Sequence, residues 1–174
     1  EKMNKLKKSF KNYYVLNDIS GILFWDNATN LPSQSIASRS EQMSILSEYT
    51  DTIFRSSEII NEISSINPSE LDEINLKNFK LMKEIISREN ALDSGLKSKL
   101  IQQKLKCEHL WRKARQENNS LIIEKEFNYL LSLVKEEDSQ LSDATQLNPY
   151  NSLISKYDID YNSSRIDNIF SVIK

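Results

Sequence analysis

Glycine occurs twice and proline three times in these 174 residues. Folds rich in β-strands need many tight turns, and tight turns draw on those two residues. Their scarcity predicts long helices joined by few breaks. Cysteine and histidine occur once each, as Cys107 and His109. One cysteine excludes an internal disulfide framework. With no signal-peptide pattern either, the default address is cytoplasmic. No apolar run approaches the roughly 20 residues a membrane helix needs; a representative one is Gly-Ile-Leu-Phe-Trp at 21–25. Neither sign of charge dominates, with 23 Lys and Arg against 25 Asp and Glu and a net charge of −2. Nucleic-acid binding calls for a basic excess or stripe. Only Lys2, Lys5, Lys7, Lys8 and Lys11 are locally basic, and they read as a solvated helix face. Neither a nucleic acid nor a membrane is therefore an expected partner.

What is present is helical periodicity. Leu6, Phe10, Tyr13, Leu16, Ile19 and Leu23 recur at steps of three and four, predicting a first helix over about 4–24. Pro32 predicts a turn around 27–33. A second helix starts near Ile36, capped by Ser33 or Ser35, with Met43, Leu46, Tyr49 and Ile53 inward. Ser56-Ser57 and Asn67-Pro68 read as punctuation, and Ser69 with Asp72 as the start of a third helix. Its inner residues are Leu71, Ile74, Leu81 and Ile85, widened by Phe79, Met82 and Ile86. Asp93-Ser94-Gly95 marks a turn. A fourth helix over about 96–117 carries Leu96, Leu100, Cys107, Trp111 and Ala114. After Asn118-Asn119-Ser120, a fifth carries Phe127, Leu130, Val134 and Leu141. A short helix at about 150–157 and a last one from Ser163 complete the reading. The expected fold is all-α, with six to seven helices in an antiparallel array and one helical segment over 1–174.

The chemistry open to these residues is narrow. A catalytic zinc takes about three protein ligands, and one His with one Cys falls short. The helical neighbours of His109 are Leu105, Lys106, Arg112 and Lys113, a cationic setting that repels a metal. Cys107 and His109 point to different sides of a helix, whereas a thiolate–imidazole pair needs hydrogen-bond contact. No Gly-x-Ser-x-Gly elbow exists, and two glycines cannot build a phosphate-cradling loop. Glu136-Glu137-Asp138 reads as a solvated helix face. Two clusters stand out: Trp25-Asp26-x-Ala28-Thr29-x-x-Pro32 with Arg39 and Gln42, and Trp111-x-x-x-Arg115 with Asn118 or Asn119. In one reading the tryptophans anchor helix packing while Asp26 caps a helix or pairs with an arginine. In the other, the clusters shape the wall of a cleft.

At these clusters the sequence resembles the M32 (carboxypeptidase Taq) metallocarboxypeptidases. The run Trp25-Asp26-Asn27-Ala28-Thr29-Asn30-Leu31-Pro32, followed by Arg39, Gln42 and Leu46, is similar to that family's opening motif. Trp111-Arg112-Lys113-Ala114-Arg115 with Asn118-Asn119 resembles its Trp-x-x-Ala-Arg-x-x-Asn segment. Pro149-Tyr150-Asn151-x-Leu153-Ile154-x-x-Tyr157 resembles its Pro-Tyr-Asp-x-Leu-Leu-x-x-Tyr stretch. The chain departs from the pattern at Asn151 and at Asp158-Ile159-Asp160, where the family often has Asp and Glu-Pro-Gly. It also lacks the family's His-Glu-x-x-His helix, its downstream Glu ligand, and its His-Pro-Phe and Asp-x-Arg-x-Thr motifs.

The resemblance therefore implies the N-terminal helical part of a zincin-like helical metallopeptidase, one side of a long substrate groove. It assigns no catalytic, cofactor-binding or metal-ligating residue to any position here. For the whole enzyme it implies zinc or a similar divalent ion, a water nucleophile activated by the motif Glu, a peptide substrate shortened by single C-terminal residues, and a homodimer. The chain opens on Glu1 rather than Met, and its last apolar stripe, Ile166, Ile169, Phe170 and Ile173, runs to Lys174 with nothing to terminate it. The expectation is a piece of a longer or split product, inactive alone; in the split case the catalytic half is a separate C-terminal partner. The alternative is a non-catalytic helical module that binds a peptide or protein in a groove between helices.

Overall fold

In the computed structural model, residues 2–158 and 162–173 are described. Ile159 and Asp160, where the sequence departs from the family pattern, and the final Lys174 lie outside that range. The described residues form eight α-helices: α1 (Lys2–Thr29), α2 (Ile36–Arg55), α3 (Ser57–Ser65), α4 (Glu73–Ala91), α5 (Ser94–Gln116), α6 (Leu121–Thr145), α7 (Pro149–Ile154) and α8 (Ser163–Ile173). Among them there is no strand, and no helix is long and apolar enough to cross a membrane. The fold is all-α.

Helix ends follow local chemistry more closely than the apolar periodicity suggests. α1 continues to Thr29, well past Phe24. The Asp26 carbonyl accepts from the Asn30 and Leu31 amides, and the Thr29 hydroxyl donates to the Trp25 carbonyl at 2.8 Å. The Trp-Asp motif is thus the last turn of α1 and not a loop. Ser56, read above as punctuation, is the N-cap of a further helix: its backbone is extended and its Oγ accepts from the Ile59 amide at 3.3 Å. Such a cap satisfies one of the orphan donors of a helix start. α3 is therefore the helix that the periodicity reading missed. The next cap is Asp72 and not Ser69, with Oδ1 accepting from the Asn75 amide at 2.8 Å. Asn67 and Pro68 instead open a 3-10 turn, Pro68–Glu70. Asp93 caps α5 through the Leu96 amide at 3.0 Å, and Asn148 caps α7 through the Asn151 amide at 2.9 Å.

The helices pack antiparallel. Lys97 meets Asp51, Ser98 meets Glu48 and Gln102 meets Ser44, so α5 descends as α2 rises. The principal contacts run α1 to α2, α2 to α5, α5 to α6 and α6 to α7, with α4 against α2 and α6. Two apolar clusters hold this arrangement. In the larger, Leu6 and Phe10 of α1 meet Phe54, Ile59, Phe79 and Ile86. Phe54 sits 4.8 Å from the Phe10 ring and 4.4 Å from the Tyr13 ring. The smaller joins Leu96 and Leu100 to Leu133. Each fully buried side chain of this size contributes about 1.5–3 kcal/mol of transfer free energy. Some stripe residues face outward instead: Tyr49, Ile74, Leu81 and Phe127 are exposed, and the α4 core is Phe79 and Ile86. These helices are wide enough in apolar residues that periodicity alone does not choose the face.

A polar clamp crosses the larger cluster. Lys97 Nζ donates to Asp51 Oδ1 at 2.7 Å, Glu89 Oε2 at 2.8 Å and the Glu89 carbonyl at 2.9 Å. The Tyr13 hydroxyl donates to Glu89 Oε1 at 3.0 Å. One residue each from α1, α2, α4 and α5 is tied by this network. Burial, and then the Glu89 charge, push the Tyr13 hydroxyl well above its usual range.

Candidate functional site

The two tryptophan-bearing motifs lie about eighty residues apart in sequence and meet in space. Because α1 runs on to Thr29, it delivers Asn27 and Ala28 to the second half of α5. Asn27 Nδ2 donates to Glu108 Oε2 at 3.2 Å, and Arg112 donates to the Ala28 carbonyl at 2.9 Å. Arg112 also pairs with Glu108 one turn earlier, at 2.6 Å. On the other side of α1, Asp26 pairs with Arg39 of α2 at 2.6 Å. Arg39 further donates to the Leu23 carbonyl at 2.7 Å and to Gln42 Oε1 at 3.0 Å. The end of α1 is therefore clasped from two helices.

The clasp frames an open cleft of about 450 Å³. Its walls include Asn27, Leu31, Ile36, Glu108, His109 and Arg112. The tryptophans are not what joins the motifs. Trp25 is 60% exposed and Trp111 49%, the latter carrying the Arg115 guanidinium 5.5 Å from its ring centre. Neither ring is a buried packing anchor and neither lines the cleft, whose walls come from residues beside the tryptophans, while the Asp26–Arg pairing holds. Sequence reasoning missed Glu108, whose spacing of four residues from Arg112 was the available signal.

The residues with chemical potential stay apart. His109 faces the cleft beside Arg112 and Lys113. Cys107 is buried on the other side, near Gln103 of its own helix, and burial pushes its thiol up. A raised thiol is a poor nucleophile at neutral pH. Among the described residues no three His, Cys, Asp or Glu side chains converge as a metal would require. The described residues do not fit a catalytic divalent ion.

Glu136-Glu137-Asp138 is not a purely solvated face. Glu137 is 5% exposed and pairs with Lys156 at 2.5 Å, while Asp138 Oδ1 accepts from the Ser152 hydroxyl at 2.5 Å. These carboxylates fasten α7 to α6. The third motif thus serves as a fastening. Its Asn151 Oδ1 accepts from the Ser163 amide at 2.8 Å, tying α7 to the start of α8. An amide oxygen does there what a carboxylate could do.

A family model for carboxypeptidase Taq (M32) metallopeptidases matches residues 5–174. The chain belongs to this family. Solved structures agree on the fold. Trypanosoma cruzi metallocarboxypeptidase 1 superposes with a TM-score of 0.79 at 20% identity, over 99% of this chain and 35% of that one. Pyrococcus furiosus carboxypeptidase gives 0.78 at 17%, over 99% and 35%. The structure named BsuCP gives 0.83 at 17%, over 98% and 34%. At such identities the likeness establishes the fold. The chain spans about a third of the length of these relatives. Among curated proteins none matches. The M32 motifs quoted from the sequence thus fall on the end of α1, the second half of α5, and α7.

Proposed function

We propose that this chain is the groove-forming portion of a metal-dependent carboxypeptidase that removes single residues from peptide C-termini. In this reading residues 1–174 are one helical segment, the metal and its general base reside on other residues than these, and the chain alone is inactive. Zinc or a similar divalent ion would belong to the whole enzyme. The observation that carries the proposal is the meeting of the two M32 motifs at one open cleft, framed by Asn27, Glu108 and Arg112. Helix side chains clasped in this way present a fixed polar wall, which suits an extended peptide more than a buried cofactor. A cytoplasmic address agrees with a single buried, unpaired cysteine, and a homodimer is the assembly the family resemblance implies.

Mass spectrometry of a peptide incubated with the purified chain and excess zinc tests the inactivity. The expected result is an intact peptide and no stoichiometric metal on the protein. Stepwise loss of C-terminal residues would place catalytic groups within this chain. The assembly isolated from the native cell is expected to trim the same peptide and to stop when a chelator is added.

A further inference from the structure

α1 changes character along its length. In its first half, Leu6 and Phe10 are buried while Lys7, Lys8 and Lys11 stand in water. Further along, the outward side turns apolar. Val15, Ile19, Ile22 and Trp25 follow one another at intervals of three and four, which sets them on one face. All four are exposed, Ile22 by 65%. Beside this face on the same stretch, next to Ile19, Leu16 and Leu23 are half-buried, and α1 rests there on α2. A helix whose apolar arc extends well beyond the part its neighbour covers has a further packing face. Among the described residues only the Leu16 and Leu23 part of that arc is covered. α8 repeats the pattern, with Ile169, Phe170, Val172 and Ile173 exposed and α7 as its main neighbour.

The relatives point to the occupant. About two-thirds of each superposed carboxypeptidase has no counterpart in this chain. We propose that the outward face of α1 from Val15 to Trp25 is the docking surface for polypeptide corresponding to that remaining two-thirds, continuous with this chain or separate from it. This rests on the carboxypeptidase reading above. The surface also states what it requires. It takes an apolar face, and it ends near Tyr14, where the lysines of the first half begin. Asp18 interrupts the stripe, so the occupant must bring a cation or a hydrogen-bond donor opposite it, because an unpaired buried carboxylate is costly.

The test is photo-crosslinking in the chain's native cell, with benzoylphenylalanine replacing Ile22 and, as a control, Ile74, an exposed residue of α4. The expected product joins position 22 to a peptide from an M32-type segment outside these residues, with no such product from position 74. Crosslinks to a second copy of this chain, to an unrelated protein or to nothing overturn the docking. A double variant, Ile19→Glu with Ile22→Glu, gives a second readout. It is expected to keep its helical circular dichroism and to lose about tenfold or more of the co-purified assembly. Recovery equal to wild type overturns the proposal. Chelator-sensitive carboxypeptidase activity of the wild-type assembly is measured alongside. Activity without the crosslink at position 22 defeats the docking surface alone. No activity defeats the carboxypeptidase reading, and this inference with it.

Discussion

Lys97 holds two carboxylates from different helices in a setting where little water reaches. Its side chain is 11% exposed and that of Asp51 7%, and Asp51 Oδ2 has no partner of its own. Removing one member of a buried pair leaves the other charge uncompensated. Lys97→Ala is therefore expected to destabilise by about 3 kcal/mol in urea unfolding. Lys113→Ala, at an exposed pair 3.9 Å from Glu117, is expected to change stability by less than about 0.5 kcal/mol. Tyr13 adds a pH dependence. Its hydroxyl is pushed up in the folded chain by burial and Glu89, whereas in the unfolded chain it ionises near pH ~10. The folded state then holds the proton more tightly, so the contribution is fully present below about pH 10 and is lost as pH rises beyond it. Tyr13→Phe is expected to flatten the fall in stability above that pH. The burial of Cys107 was legible in the sequence, since it falls on the apolar stripe of α5. The clamp was not, because its members lie far apart and nothing in their spacing couples them.

Helices are where sequence and structure agree most, and their ends are where they part. Long apolar repeats located seven of the helices, while α3 escaped because Ser56 reads equally as a break and as a cap. The extension of α1 to Thr29 escaped for a related reason: it depends on a tertiary partner, Arg39, that periodicity cannot reveal. Caps give testable magnitudes. Asp93→Ala removes the acceptor of the Leu96 amide and is expected to cost about 1 kcal/mol. Gly21, inside α1, is the opposite case. A Cβ there meets nothing within 4 Å, so Gly21→Ala is expected to stabilise the chain by about 0.5–1 kcal/mol in thermal or urea unfolding. At the core, Phe54 is almost wholly buried between two aromatic rings. Phe54→Ala is expected to cost about 3–5 kcal/mol and to melt α1 away from α2 together.

For the whole molecule, the helical class followed from composition, and the family resemblance from three short motifs in order. The cleft did not follow, because it forms only when the end of α1 reaches α5. That reach is a property of the packed array, fixed by the clasp of Arg39 and Arg112 on one helix end. The exposed apolar side of α1 belongs to the same scale, since a helix face declares a neighbour only once the rest of the array is in place. If the chain is part of a carboxypeptidase, it occupies a larger species in its own cell. Native mass spectrometry with metal analysis measures it directly. The result predicted from the proposed function is a particle in which the 20.3 kDa chain makes up about a third of each unit, the share the relatives' length implies, with one divalent ion per unit. A metal-free particle containing this 20.3 kDa chain alone would contradict it.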